Sequence, residues 1–115
     1  ATAYHQALAE SNYVLPLEPA QAGHVYHQYV IRLKERDELK AYLASQHIQS
    51  AIHYPVPVHR QPAYQNLGYP QGSLPVTEQA AEQVLSLPLY PEMSAENIKQ
   101  VCEKILEFER YHARP

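Results

Sequence analysis

One stretch gathers most of the side chains that could do chemistry: Ile52-His53-Tyr54-Pro55-Val56-Pro57-Val58-His59-Arg60-Gln61-Pro62-Ala63-Tyr64. Histidine donates or accepts a hydrogen bond near neutral pH. Tyrosine stacks through its ring and donates through its hydroxyl. Arg60 offers a planar fork that suits a phosphate. The prolines stiffen the segment, so little entropy is lost when a ligand orders it. The chemistry on offer is recognition. His53 and Tyr54 are its first candidates and His59 its second. On residue types alone, a rigid loop carrying surface histidines is an equal reading.

Other chemistries fit less well. His24 and His27 are three apart, and on a strand they point to opposite faces. His53 and His59 have no Cys or carboxylate close by in sequence, whereas zinc needs three or four ligands. Cys102 falls on the apolar stripe of a helix and reads as packing. There is no Gly-x-Ser-x-Gly elbow, and three glycines leave no phosphate-cradling loop. His27 interrupts an apolar strand face. Its first reading is a core histidine satisfied by one hydrogen bond; the second is a strand end that opens towards a pocket.

These residues need elements to hold them. Residues 1–10 read as helix, with Tyr4 and Leu8 on one face. A proline-containing connector, Leu15 to Pro19, runs on to about Gly23. His24 to Leu33 reads as a strand with Val25, Tyr29, Ile31 and Leu33 on one face and Tyr26 on the other. Glu35 to Gln46 reads as a helix with Leu39, Tyr42 and Leu43 as its stripe. Its Lys and Arg residues read as a solvated face. Ile48 to Tyr54 reads as a second strand, with Gln49, Ala51 and His53 on one face, stopped by Pro55 and Pro57. The period puts His53 and Tyr54 on opposite faces.

Val58 to Tyr69 reads as a loop with a short helical piece ending at Gly68. A helix follows from Pro75 to about Gln83, with Val76, Ala80 and Val84 on one face. Leu85 to Tyr90 reads as a short strand. The last helix starts at Ser94 as N-cap and runs to about Tyr111, striped by Ile98, Val101, Cys102, Ile105 and Phe108. The fold class is α/β (α+β). The expected architecture is a two-layer small domain, with a short, mostly antiparallel three-stranded sheet covered by helices.

Composition narrows the function. The 115 residues suit one domain, residues 1–115. A net charge of -3 with no basic stripe argues against nucleic acid. No apolar run is long enough for a membrane span, so no membrane partner is expected. The lone Cys102 allows no internal disulfide and fits a cytoplasmic location. The chain opens on Ala1 with a helix already in progress, and residues 1–12 read as the end of an upstream connecting helix. A start methionine trimmed before a small residue is the other account.

Taken together, several landmarks resemble one family. They are His24-Val25-Tyr26-His27-Gln28-Tyr29-Val30-Ile31-Arg32, then Arg36-Asp37-x-Leu39, then the Ile52–Tyr64 loop. Leu74-Pro75-x-Thr77-Glu78 and Leu85-Ser86-Leu87-Pro88-Leu89-Tyr90-Pro91 complete the order. The chain resembles the C-terminal small domain of the DegT/DnrJ/EryC1/StrS nucleotide-sugar aminotransferases. The resemblance implies a fold-type-I parent enzyme holding pyridoxal phosphate on a lysine of a large domain. It also implies amino transfer, usually from glutamate, to a nucleotide-diphosphate keto sugar, within a homodimer.

That large pyridoxal-phosphate-binding domain is absent from this chain, and Lys34, Lys40, Lys99 and Lys104 have no surroundings resembling the cofactor lysine. The resemblance therefore carries over no catalytic and no cofactor-binding residue. It carries over a substrate-contacting role for His53, Tyr54 and His59, and more weakly for His27 and Tyr26. A stand-alone, non-catalytic module that binds a nucleotide sugar or dimerises is the alternative.

Overall fold

The computed structural model describes residues 1–112. At its centre β1 (Tyr29–Arg32) pairs antiparallel with β2 (Val84–Leu87), Tyr29 opposite Leu87 and Val30 opposite Ser86. Alternation sends Tyr29, Ile31, Leu85 and Leu87 into the core. Four helices surround this ribbon: α1 (Thr2–Leu8), α2 (Arg36–Ser45), α3 (Pro75–Gln83) and α4 (Ala95–His112). Tyr4 and Leu8 of α1, Leu39 and Leu43 of α2, and Val101, Cys102, Ile105 and Phe108 of α4 complete the same core. Truncating one such residue, Ile105→Ala for example, costs about 2–5 kcal/mol because a cavity is left behind.

Three of the helix ends have a local cause. Ser94 caps α4, its hydroxyl accepting the Asn97 N–H at 3.1 Å. Past α2, His47 adopts a left-handed conformation (φ 59) and the Ile48 N–H bonds back to the Leu43 carbonyl at 2.9 Å. Pro75 opens α3, where its missing N–H costs nothing.

The sheet departs from the three strands expected. It has two strands, and the expected Ile48–Tyr54 strand contributes one bridge. There the Ala51 N–H donates to the Ser86 carbonyl at 3.1 Å and the Ser86 N–H to the Ala51 carbonyl at 2.8 Å. Pairing stops there because four residues further on the chain runs into Pro55 and then Pro57. The first strand is also shorter than expected. Tyr26 sits at a positive φ of 47, which breaks the alternation before Tyr29 and leaves Val25 exposed.

Two other expectations fail. Arg36 is buried, not solvated: its Nη1 donates to the carbonyls of Ala81 and Val84 at 3.1 and 3.2 Å. Those carbonyls end α3, where a cation is favoured. Val76 faces solvent and Ala81 is the buried residue of α3.

The radius of gyration is 15.8 Å, against about 13 Å for a compact chain of roughly this length. Segments 15–28 and 54–74 lie largely at the surface and expose Leu17, Val25, Tyr54, Val58 and Leu67.

Candidate functional site

The Ala51–Ser86 bridge decides where the first candidate side chain goes. Antiparallel pairing puts Ala51 and Ser86 opposite each other, and alternation returns to the same face at His53. The His53 Nδ1 meets the Ser86 Oγ at 2.9 Å. His53, Gln49 and Ser50 line a depression of about 330 Å³ together with Ser86, His27 and Gln28. The structure thus brings His53 and His27 to one concavity. The expected face of Gln49, Ala51 and His53 lies along it. The Ser50 Oγ in its wall is buried without a hydrogen-bond partner.

His27 is not a core histidine. It is exposed at the rim, because the strand pattern that would have turned it inward begins only at Tyr29. Tyr54 points elsewhere than His53. Its side chain is 71% exposed, and its ring meets the His53 ring edge-on at 5.4 Å.

Tyr26 and His59 sit in other surroundings. Tyr26 belongs to an aromatic column: its ring stacks on Tyr29 at 6.1 Å, and Tyr29 stacks on Tyr4 at 4.9 Å. The Tyr26 hydroxyl donates to Glu18 Oε2 at 3.2 Å. Desolvation, and then the Glu18 carboxylate, push the phenol above its usual range. The Tyr29 hydroxyl meets His5 Nδ1 at 2.9 Å, and burial pushes that phenol up to about 12. His59 is buried, its Nε2 at 2.9 Å from Glu78 Oε1. It reaches a second depression, shared with Arg60, Gln65 and Tyr69, of about 480 Å³.

Sequence reasoning missed three residues here. Ser86 was one landmark in an apolar run, and its partner lies 33 residues away. Glu78 accepts from the Gly72 N–H at 2.8 Å as well as facing His59, so it pins the loop to α3. The signal for it was an acid in the first turn of a helix, which suits the dipole but does not name a partner. Arg36 read as surface because its acceptors, two carbonyls, leave no mark in a sequence.

Among the described residues, no three His, Cys, Asp or Glu side chains converge as a metal site. No helix among them is long and apolar enough to cross a membrane. Burial pushes the Cys102 thiol up to about 11, so at neutral pH it is not a nucleophile.

The chain resembles known proteins over nearly its whole length. The model of the DegT/DnrJ/EryC1/StrS aminotransferase family matches residues 1–106. A pleiotropic regulatory protein of Geobacillus stearothermophilus is 48% identical over 100 residues, 87% of this chain and 27% of that protein. The dTDP-3-amino-3,6-dideoxy-alpha-D-galactopyranose transaminase of Aneurinibacillus thermoaerophilus is 44% identical over 91 residues, 79% of this chain and 24% of that protein. Among solved structures, S. venezuelae DesV in complex with a ketimine intermediate superposes with a TM-score of 0.90 at 37% identity, over 94% of this chain and 29% of that one. The chain spans about a quarter of the length of the curated relatives it matches.

Pyridoxal phosphate, which such a fold implies, does not fit the residues present. A lysine that bonds a carbonyl must give up its proton. Lys104 instead donates to Glu107 at 2.7 Å, and that carboxylate holds its pKa above the ordinary value. Lys99 is exposed beside Glu103, and Lys34 is exposed at a strand end. Lys40 borders an open surface hollow with Ala44 and His47.

Proposed function

Because the chain belongs to the DegT/DnrJ/EryC1/StrS aminotransferase family, we propose that it forms the substrate-enclosing part of a sugar aminotransferase dependent on pyridoxal phosphate. The substrate is a nucleotide-diphosphate keto sugar. The resemblance adds glutamate as amino donor and a homodimer to this reading. The cofactor and the groups that hold it belong to the remainder of such an enzyme. The residues here bind and orient the sugar nucleotide and limit water around it.

The observation that carries the reading is the depression between His27 and His53. Its polar groups are two imidazoles, two primary amides and two hydroxyls. Such a set hydrogen-bonds sugar hydroxyls and phosphate oxygens. His53 is the principal contact. His27 contributes from the rim; the resemblance adds Tyr54, Tyr26 and His59, which lie outside this depression, His59 turning to Glu78 and a second hollow.

The test is His53→Ala in the complete enzyme that carries this chain. The expected result is a KM for the sugar nucleotide raised by about 5- to 150-fold, the equivalent of 1–3 kcal/mol for a lost buried hydrogen bond. Cofactor affinity stays unchanged. An unaltered KM overturns the assignment.

A further inference from the structure

Ser86 is the one polar residue in Leu85-Ser86-Leu87, and its backbone is already committed to the Ala51 bridge through both N–H and carbonyl. Its hydroxyl is left over. The residue is 6% exposed, and the partner its hydroxyl has among the described residues is His53 Nδ1, at 2.9 Å. We propose that Ser86 is a positioning residue: its hydroxyl fixes the ring of His53 so that Nε2 is presented to the ligand in the depression. The proposal deepens the sugar-nucleotide reading above and rests on it.

An imidazole turns about two side-chain torsions, and a single anchored nitrogen removes most of that freedom. With Nδ1 turned to Ser86, Nε2 is the ring nitrogen left for a ligand. A hydroxyl is suited to this task because it both donates and accepts. Where it donates to Nδ1, the ring proton sits on Nε2 and Nε2 donates; where it accepts from Nδ1–H of the neutral ring, Nε2 accepts. In either tautomer the anchored ring presents Nε2 to a hydroxyl or phosphate oxygen of the sugar nucleotide. The anchor is itself fixed, since the Ala51–Ser86 bridge sets the register between the His53 segment and β2.

The experiment is a double-mutant cycle in the complete enzyme, read as affinity by calorimetry. The probes are dTDP-glucose and UDP-N-acetylglucosamine, unreactive nucleotide sugars tested in parallel. Ser86→Ala is expected to weaken the better probe about three- to tenfold. In the His53→Ala background the same change is expected to have no further effect, because Ser86 acts through the ring. Ser86→Cys, nearly isosteric but a weak donor, is expected to show the same loss and serves if the alanine variant does not fold. An equal loss in both backgrounds overturns the proposal, as it marks strand packing alone. Unweakened binding by Ser86→Ala or Ser86→Cys overturns it too. If His53→Ala weakens binding and Ser86→Ala does not, positioning falls while the functional reading stands. If neither probe binds the unaltered enzyme, or His53→Ala changes nothing, the functional reading falls and takes this proposal with it.

Discussion

The Nε2 of His59 lies 2.9 Å from the Oε1 of Glu78, and solvent reaches little of either side chain. Nineteen residues separate them, so the pair closes the exposed loop onto α3. Removing the ring leaves a gap and a carboxylate short of one partner. His59→Ala is therefore expected to lose about 1–3 kcal/mol of stability. Urea unfolding checks the loss, and limited proteolysis checks that new cuts fall in residues 54–74. Unchanged unfolding with an intact loop would mean the pair holds nothing.

The same carboxylate predicts an acid response. His59 first, then the Gly72 N–H, holds the Glu78 pKa below its ordinary 4.5. A depressed carboxylate contributes stability that is present above 4.5 and lost as pH falls through the lower folded value. The Gly72 amide, donated to Glu78 at 2.8 Å, should stay protected from hydrogen exchange down to pH 4.5 and open below it. Rates corrected for intrinsic exchange read this directly. In Glu78→Gln the acid step should vanish.

Arg36 gives a different test, of geometry rather than charge. One guanidinium nitrogen reaches two carbonyls at the end of α3 while Nε reaches Asp37 at 2.6 Å. Lysine keeps the charge and loses the fork. Arg36→Lys should cost about 1–3 kcal/mol in chemical denaturation. Asp37→Asn should stay within about 0.5 kcal/mol, since that side chain is 76% exposed. Equal effects of the two changes would contradict this assignment.

Cys102 should resist modification. It is 2% exposed, and burial pushes its thiol up to about 11. At pH 8 the folded chain should react with iodoacetamide far more slowly than the urea-unfolded chain. Comparable rates would place the thiol outside the core.

Much of the helical frame was legible. The stripe of α4 and its Ser94 cap are local patterns, and the structure repeats them. Strands were less so. A run such as His24–Leu33 alternates well on paper, yet its first half has no pairing partner and Tyr26 turns through a positive φ. Pairing is decided by distant segments, which periodicity does not record. The site divides the same way. His53 is singled out by its place in a proline-stiffened loop. Its alliance with Ser86 is not, because that contact depends on where the Ala51 bridge forms. His59 has the residue type of a ligand contact, while its neighbour is a half-buried acid.

The packing of α1 on α4 also sets a schedule for synthesis. The Tyr4 hydroxyl bonds the Pro88 carbonyl, 84 residues later, and the Asn12 N–H reaches the Glu109 carboxylate, 97 residues later. On a ribosome adding about 5–20 residues per second, the first helix waits on the order of 5–20 s for the last to emerge. Through that interval Tyr4 and Leu8 have no finished surface to cover them. The α1–α4 contacts can close only after α4 has emerged, and a chain stalled before α4 would present an apolar helix face to whatever quality control surrounds it.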